Sequence, residues 1–208
     1  MPRSFLALGD SYTIGQGVAA ADRWPERLAA LLGARGVVLS PPRVIARTGW
    51  TTADLARALA AERPAGPFDL VSLMVGVNDQ FRGEELAGYE RRFGALLGEA
   101  VALAGGDARR VLVLSIPDYG VTPFARGLGL DPRAVVAEVD RFNDAARLAA
   151  RRAGARWVDV TPASRRAAAA AELLARDGLH PSAKLHAEWA ALALPAALAA
   201  LGDGPPVR

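Results

Sequence analysis

Short apolar runs rich in leucine and β-branched residues alternate along the chain with longer stretches in which apolar positions recur every three or four residues. A short run without a polar face suits a strand buried on both sides, and three-to-four spacing suits a helix with one buried stripe. On this basis strands are predicted at Ser4 to Leu8, Arg43 to Ala46, Asp69 to Val75, Val111 to Ile116 and a short Arg156 to Val158. Leu55 and Leu59 mark one helix, and Leu86, Tyr89, Phe93, Leu96, Ala100 and Leu103 mark a longer one. Val135, Val139, Phe142 and Ala146 mark a third, while Leu185, Trp189, Leu192 and Ala196 mark the last, with Pro181 and Ser182 as its start signals. Strands alternating with helices, without internal repeats, predict an α/β fold of three α/β/α layers around a five-stranded parallel sheet of flavodoxin-like type. In such a sheet ligands bind beyond the carboxyl ends of the strands, which is where chemistry is to be sought.

Composition narrows the picture. The chain has 208 residues, enough for one domain over 1–201, and Gly202-Asp203-Gly204-Pro205-Pro206 has no periodicity, so 202–208 is expected to be a disordered tail. It has no cysteine, which removes disulfides, thiolate metal sites and a thiol nucleophile. The apolar run Phe5 to Leu8 is too short for a signal peptide, and no stretch reaches the ~20 apolar residues of a membrane span. A soluble cytoplasmic protein is expected. The net charge is only +3, Lys184 is the sole lysine, and the arginines fall in scattered pairs such as Arg91-Arg92 and Arg151-Arg152. Without a basic block or interleaved aromatics, no nucleic-acid partner is expected. The oligomeric state is left open.

Four polar constellations follow the predicted strands or precede the last helix. The first strand runs into Gly9-Asp10-Ser11, the second into Arg47-Thr48-Gly49-Trp50, and the third into Gly76-Val77-Asn78-Asp79. The fourth, Asp177-Gly178-Leu179-His180-Pro181, sets a carboxylate three residues before an imidazole. Each alone also reads as a turn. Together, and in this order, they supply a hydroxyl nucleophile, a glycine amide, a side-chain amide, and a base whose Nδ1 a carboxylate can hold.

With these markers in place the sequence resembles the GDSL/SGNH hydrolase family of serine esterases and lipase-like enzymes. The family's Ser, Gly, Asn and His match Ser11, Gly49, Asn78 and His180, and the resemblance spans Gly9 to Ser182. It departs at Tyr12, where the family name has leucine, a position expected behind the nucleophile. The resemblance implies the SGNH hydrolase fold and an acyl-enzyme on Ser11, with His180 as base and Asp177 behind it. It also implies an oxyanion hole of the Ser11 and Gly49 backbone N–H groups and the Asn78 side chain, and neither cofactor nor metal. The partner implied is a small-molecule ester. The same site could serve acyl or acetyl transfer, carbohydrate deacetylation, or a lysophospholipase or thioesterase activity. The stretch Ser115 to Pro123 looks like a pocket loop of intracellular-type members.

The α/β-hydrolase fold is disfavoured, because no Gly-x-Ser-x-Gly elbow occurs. A metal-dependent hydrolase built on Asp10, Asp177, His180 and His186 is a weaker rival, since the chain has only two histidines and no paired-His motif. A non-catalytic flavodoxin-like module is the other. Asp10 and Asp79 are expected to hold their loops by local hydrogen bonds. Trp50 and Tyr119 are expected to wall a compact site for short acyl esters.

Overall fold

The computed structural model describes residues 2–202. In chain order its main elements are β1 (Phe5–Gly9), α1 (Ser11–Ile14), α2 (Trp24–Gly33), β2 (Arg43–Ala46), α3 (Thr52–Glu62) and β3 (Leu70–Met74). There follow α4 (Val77–Phe81), α5 (Leu86–Leu103), β4 (Val111–Leu114), α6 (Pro123–Gly127), α7 (Pro132–Ala153), β5 (Arg156–Val158), α8 (Thr161–Arg165) and α9 (Ala183–Ala200). The five strands form one parallel sheet in the order β2-β1-β3-β4-β5. Helices α2 and α9 pack together on one face, and α3, α5 and α7 cover the other. This is the predicted five-stranded α/β architecture.

Every residue of β1, β3 and β4 is buried, which is why these segments read as unbroken apolar runs. Register matters more for function. Gly9, the last residue of β1, pairs with Ala46 at the end of β2 and with Met74 at the end of β3. Three strands therefore finish level with one another, and the loops that follow open onto one edge of the sheet.

The strand positions predicted from the sequence agree with those observed to within one or two residues. The segment between the first two strands, for which no helix is predicted, contains α2, whose Trp24, Leu28 and Leu32 are fully buried. Ser11 does not lie in an open loop but begins the one-turn helix α1. The stretch from Tyr119 to Asp131, for which no helix is predicted, contains α6. Helices of four or five residues close barely one turn, too little for a hydrophobic period to register. Of the expected disordered tail, Gly202 ends a turn and 203–208 lie outside the described residues. Among the described residues no helix is long and apolar enough to cross a membrane.

Candidate active site

Beyond β1 the chain turns back at once. A Cβ on Gly9 would stand 2.1 Å from Thr13 Oγ1 and 2.6 Å from the Met74 carbonyl oxygen, so only glycine fits where α1 folds over the strand end. Asp10 caps α1, its Oδ1 accepting the Tyr12 N–H at 3.0 Å. Ser11 thus occupies the first helical position, where the backbone N–H has no intrahelical partner. Among the described residues nothing accepts that N–H.

The β2 loop and the β3 helix are tied together. Gly49 has φ +80°, and the helix after it is closed by a capping box in which Thr51 and Asp54 bond each other's backbone. From the first turn of α4, the Asn78 side-chain amide donates to the Trp50 carbonyl at 2.9 Å. The neighbouring Asp79 is fully buried and accepts the Thr52 N–H at 2.9 Å, the Thr52 hydroxyl and the Arg92 guanidinium. Its bonds reach across to the β2 loop, which corrects the expectation that they are local.

The segment before α9 forms a closed turn. Asp177 Oδ1 accepts the N–H groups of Leu179 and His180, both at 3.0 Å, and Oδ2 meets His180 Nδ1 at 2.7 Å. Burial alone would push the Asp177 carboxyl up, but the His180 ring bond and the two backbone donors outweigh it and hold its pKa below the usual value. The turn is fastened by Ala175 N–H donating to the His180 carbonyl at 2.7 Å and Ser182 N–H to that of Leu173 at 2.8 Å. The His180 ring packs on Tyr12 at 5.5 Å between centroids, and Tyr12 packs in turn on Trp189.

These pieces meet in a cleft of about 160 Å³ lined by Ser11, Gly49, Asn78 and His180. Tyr12, Thr48, Val77, Phe81, Tyr119, Phe124 and Leu179 complete its walls. Trp50 is not among them: its ring packs toward the core and it contributes its carbonyl. A larger groove of about 710 Å³ between α5 and α7 holds none of the candidate residues, so chemistry and not size selects the site.

The GDSL-like lipase/acylhydrolase family model matches residues 7–188. The chain belongs to that family. Among solved structures it is similar to TesA (TM-score 0.71, 21% identity, 96% of this chain and 100% of that one). It is also similar to Axe2, an acetylxylan esterase from Geobacillus stearothermophilus (TM-score 0.69, 22% identity, 96% and 94%). A third is the psychrotrophic esterase EstA from Pseudoalteromonas sp., in a structure inhibited by monoethylphosphonate (TM-score 0.67, 18% identity, 91% and 93%). These likenesses establish the fold. No curated protein matches the chain. As a GDSL-type acylhydrolase the protein hydrolyses esters.

Within this GDSL framework several residues carry more than the sequence suggests. Phe81, Tyr119 and Phe124 form an aromatic wall, with centroids 5.7 Å apart for Phe81 and Tyr119 and 6.2 Å for Phe81 and Phe124. Phe81 and Phe124 lie on the unpredicted short helices α4 and α6, which is why they escape a reading of the sequence. The Phe124 N–H donates to the Gly178 carbonyl at 3.2 Å, docking α6 on the Asp177–His180 turn. Asp10 is almost fully buried, and burial, reinforced by the charge of Asp79, pushes its carboxyl up to about 7. Among the described residues no group of three or more His, Asp or Glu is placed to hold a metal ion, so Asp10, Asp177, His180 and His186 do not converge as a metal site would require.

Proposed function

We propose that Ser11 is the nucleophile, His180 the general base and Asp177 its orienting carboxylate, acting on small carboxylic esters. The observation that carries this reading is the 2.7 Å contact between His180 Nδ1 and Asp177 Oδ2 beside a cleft that Ser11 also lines. A carboxylate at Nδ1 favours the tautomer with hydrogen there, which leaves the Nε2 lone pair to take a proton. Ser11 Oγ then attacks the ester carbonyl as its proton passes to Nε2. The tetrahedral intermediate collapses as the imidazolium returns that proton to the leaving alkoxide, so the alcohol departs and an acyl-enzyme remains. Water, deprotonated by His180, attacks next; the acid is released and the proton returns to Ser11. The N–H groups of Ser11 and Gly49 and the Asn78 amide are proposed to hold the oxyanion, each donor typically worth about 3 kcal/mol in the transition state.

The compact cleft and its aromatic wall favour a short acyl chain, and a chain without cysteine, which needs no disulfide, fits a reducing cytoplasm as the place of work. The test is Ser11→Ala, which should lower kcat/KM for a p-nitrophenyl acetate probe by about three orders of magnitude or more while the melting temperature holds. A fluorophosphonate probe should label Ser11 in the parent and nothing in the variant. A variant retaining a tenth of parental activity would overturn the assignment.

A further inference from the structure

Helix α4 and the residue that caps its C-terminus offer two side chains to the Gly49 loop. Asn78 and Arg82 are four residues apart, the Arg82 N–H donating to the Asn78 carbonyl at 3.2 Å, so they project from the same face. They grip consecutive carbonyls: Asn78 Nδ2 holds that of Trp50 at 2.9 Å, and Arg82 Nη2 holds that of Gly49 at 2.7 Å. The other terminal nitrogen of Arg82, Nη1, stands 3.8 Å from Asp54 Oδ2, and Asp54 is itself fixed by the capping box of α3. The arginine therefore bridges the carbonyl of the glycine and the start of the following helix.

This matters because the glycine it grips is the one whose N–H is free. Among the described residues nothing accepts the Gly49 N–H, and a glycine at φ +80° has no side chain to restrain it. A charge-assisted bond to the Gly49 carbonyl fixes the Gly49–Trp50 peptide, whose Trp50 N–H donates to the Arg47 carbonyl at 3.2 Å, and the turn closed in this way sets the direction of the Gly49 N–H inside it. The Asn78 amide nitrogen carries two hydrogens, one engaged by Trp50 and one left over. The same helix face thus sets both donors.

Building on the catalytic reading above, we propose that Arg82 is a positioning residue of the oxyanion hole, holding the Gly49 N–H in place for the tetrahedral intermediate. Without it the loop must be ordered during each turnover, which weakens transition-state binding and leaves ground-state binding nearly unchanged. A lysine cannot substitute, because a single ammonium lacks the fork that reaches the carbonyl and Asp54 together.

The experiment compares Arg82→Ala, Arg82→Lys, Asn78→Ala and Arg57→Ala on p-nitrophenyl acetate. Arg57 also pairs with Asp54, at 2.5 Å, but makes no bond to Gly49. Both Arg82 variants should lose about tenfold in kcat with KM within about twofold, and Asn78→Ala about 100-fold in kcat. Arg57→Ala should match the parent, with all melting temperatures close together. Because Arg82 is half-exposed, guanidinium at millimolar concentration should restore part of the kcat of Arg82→Ala. An unchanged kcat in Arg82→Ala beside a large loss in Asn78→Ala would overturn the role of Arg82 and leave the oxyanion reading standing. An unchanged kcat in both would overturn the oxyanion reading, and the Arg82 proposal with it. An equal loss in Arg57→Ala, without rescue by guanidinium, would reduce Arg82 to one surface charge among others.

Discussion

Two imidazoles six residues apart meet opposite fates. His180 is anchored by Asp177 and lines the cleft, whereas His186 is fully buried in α9 with its ring edge-on to Trp189 at 5.4 Å. Among the described residues neither ring nitrogen of His186 has a partner, and burial pushes its pKa down from 6.5 to about 4. The unfolded chain then binds a proton that the folded chain refuses, so His186 lowers stability as pH falls from about 6.5 to about 4, on the order of 3 kcal/mol in all. His186→Phe keeps a ring of similar shape and removes that proton. Its melting temperature should fall less than the parent's between pH 7.5 and 4.5, with esterase activity at neutral pH nearly intact. An equally steep acid fall in both proteins would show that His186 is not the titrating group. Of the residues nominated from the sequence, Ser11, Gly49, Asn78 and His180 lie on one cleft because their distance from strand ends or from the last helix is fixed by chain geometry, while Asp177 stands behind His180 and Trp50 turns to the core. Arg82, Phe81 and Phe124 were not legible, since their partners come from other loops.

At the scale of elements, the long helices were legible and α2 was not. Its Trp24, Leu28 and Leu32 do repeat at intervals of four, but alanines and charges crowd the rest of a ten-residue segment, and the stripe shows only against α9. Packing, more than propensity, makes such a helix stable. Leu28 is fully buried. Leu28→Ala should therefore cost about 2–5 kcal/mol in denaturant unfolding, with kcat unchanged below the transition. A loss under about 1 kcal/mol would mean that α2 is only loosely applied to the body. The short helices α1, α4 and α6 are a different case. Caps and tertiary bonds hold them, as when Asp10 closes α1 and the Gly178 carbonyl receives α6.

For the whole molecule, the layers and strand order limit what the enzyme can accept. The cleft of about 160 Å³ lies below the roughly 300–1,000 Å³ of pockets that enclose drug-sized ligands. Phe81, Tyr119 and Phe124 stand at its wall, and the loop carrying the last two is drawn in by Asp118, whose carboxylate binds Arg165 at 2.8 Å and the Gly120 N–H at 2.9 Å. A growing acyl chain gains about 0.8 kcal/mol per methylene only while it finds apolar surface to cover. Across a p-nitrophenyl ester series kcat/KM should peak from acetyl to butyryl and decline beyond about eight carbons. A maximum at about twelve to sixteen carbons would show that the chain finds a longer groove than this cleft.

The level finish of β1, β2 and β3 at Gly9, Ala46 and Met74 has an evolutionary consequence. Sliding any of these strands by one residue would turn each of its side chains to the opposite helix layer and carry its loop out of line with the other two. A lineage that shifts register here loses stability and the site together, because the hydrogen bonds that close the sheet also set Ser11, the proposed nucleophile, beside the Gly49 and Asn78 loops.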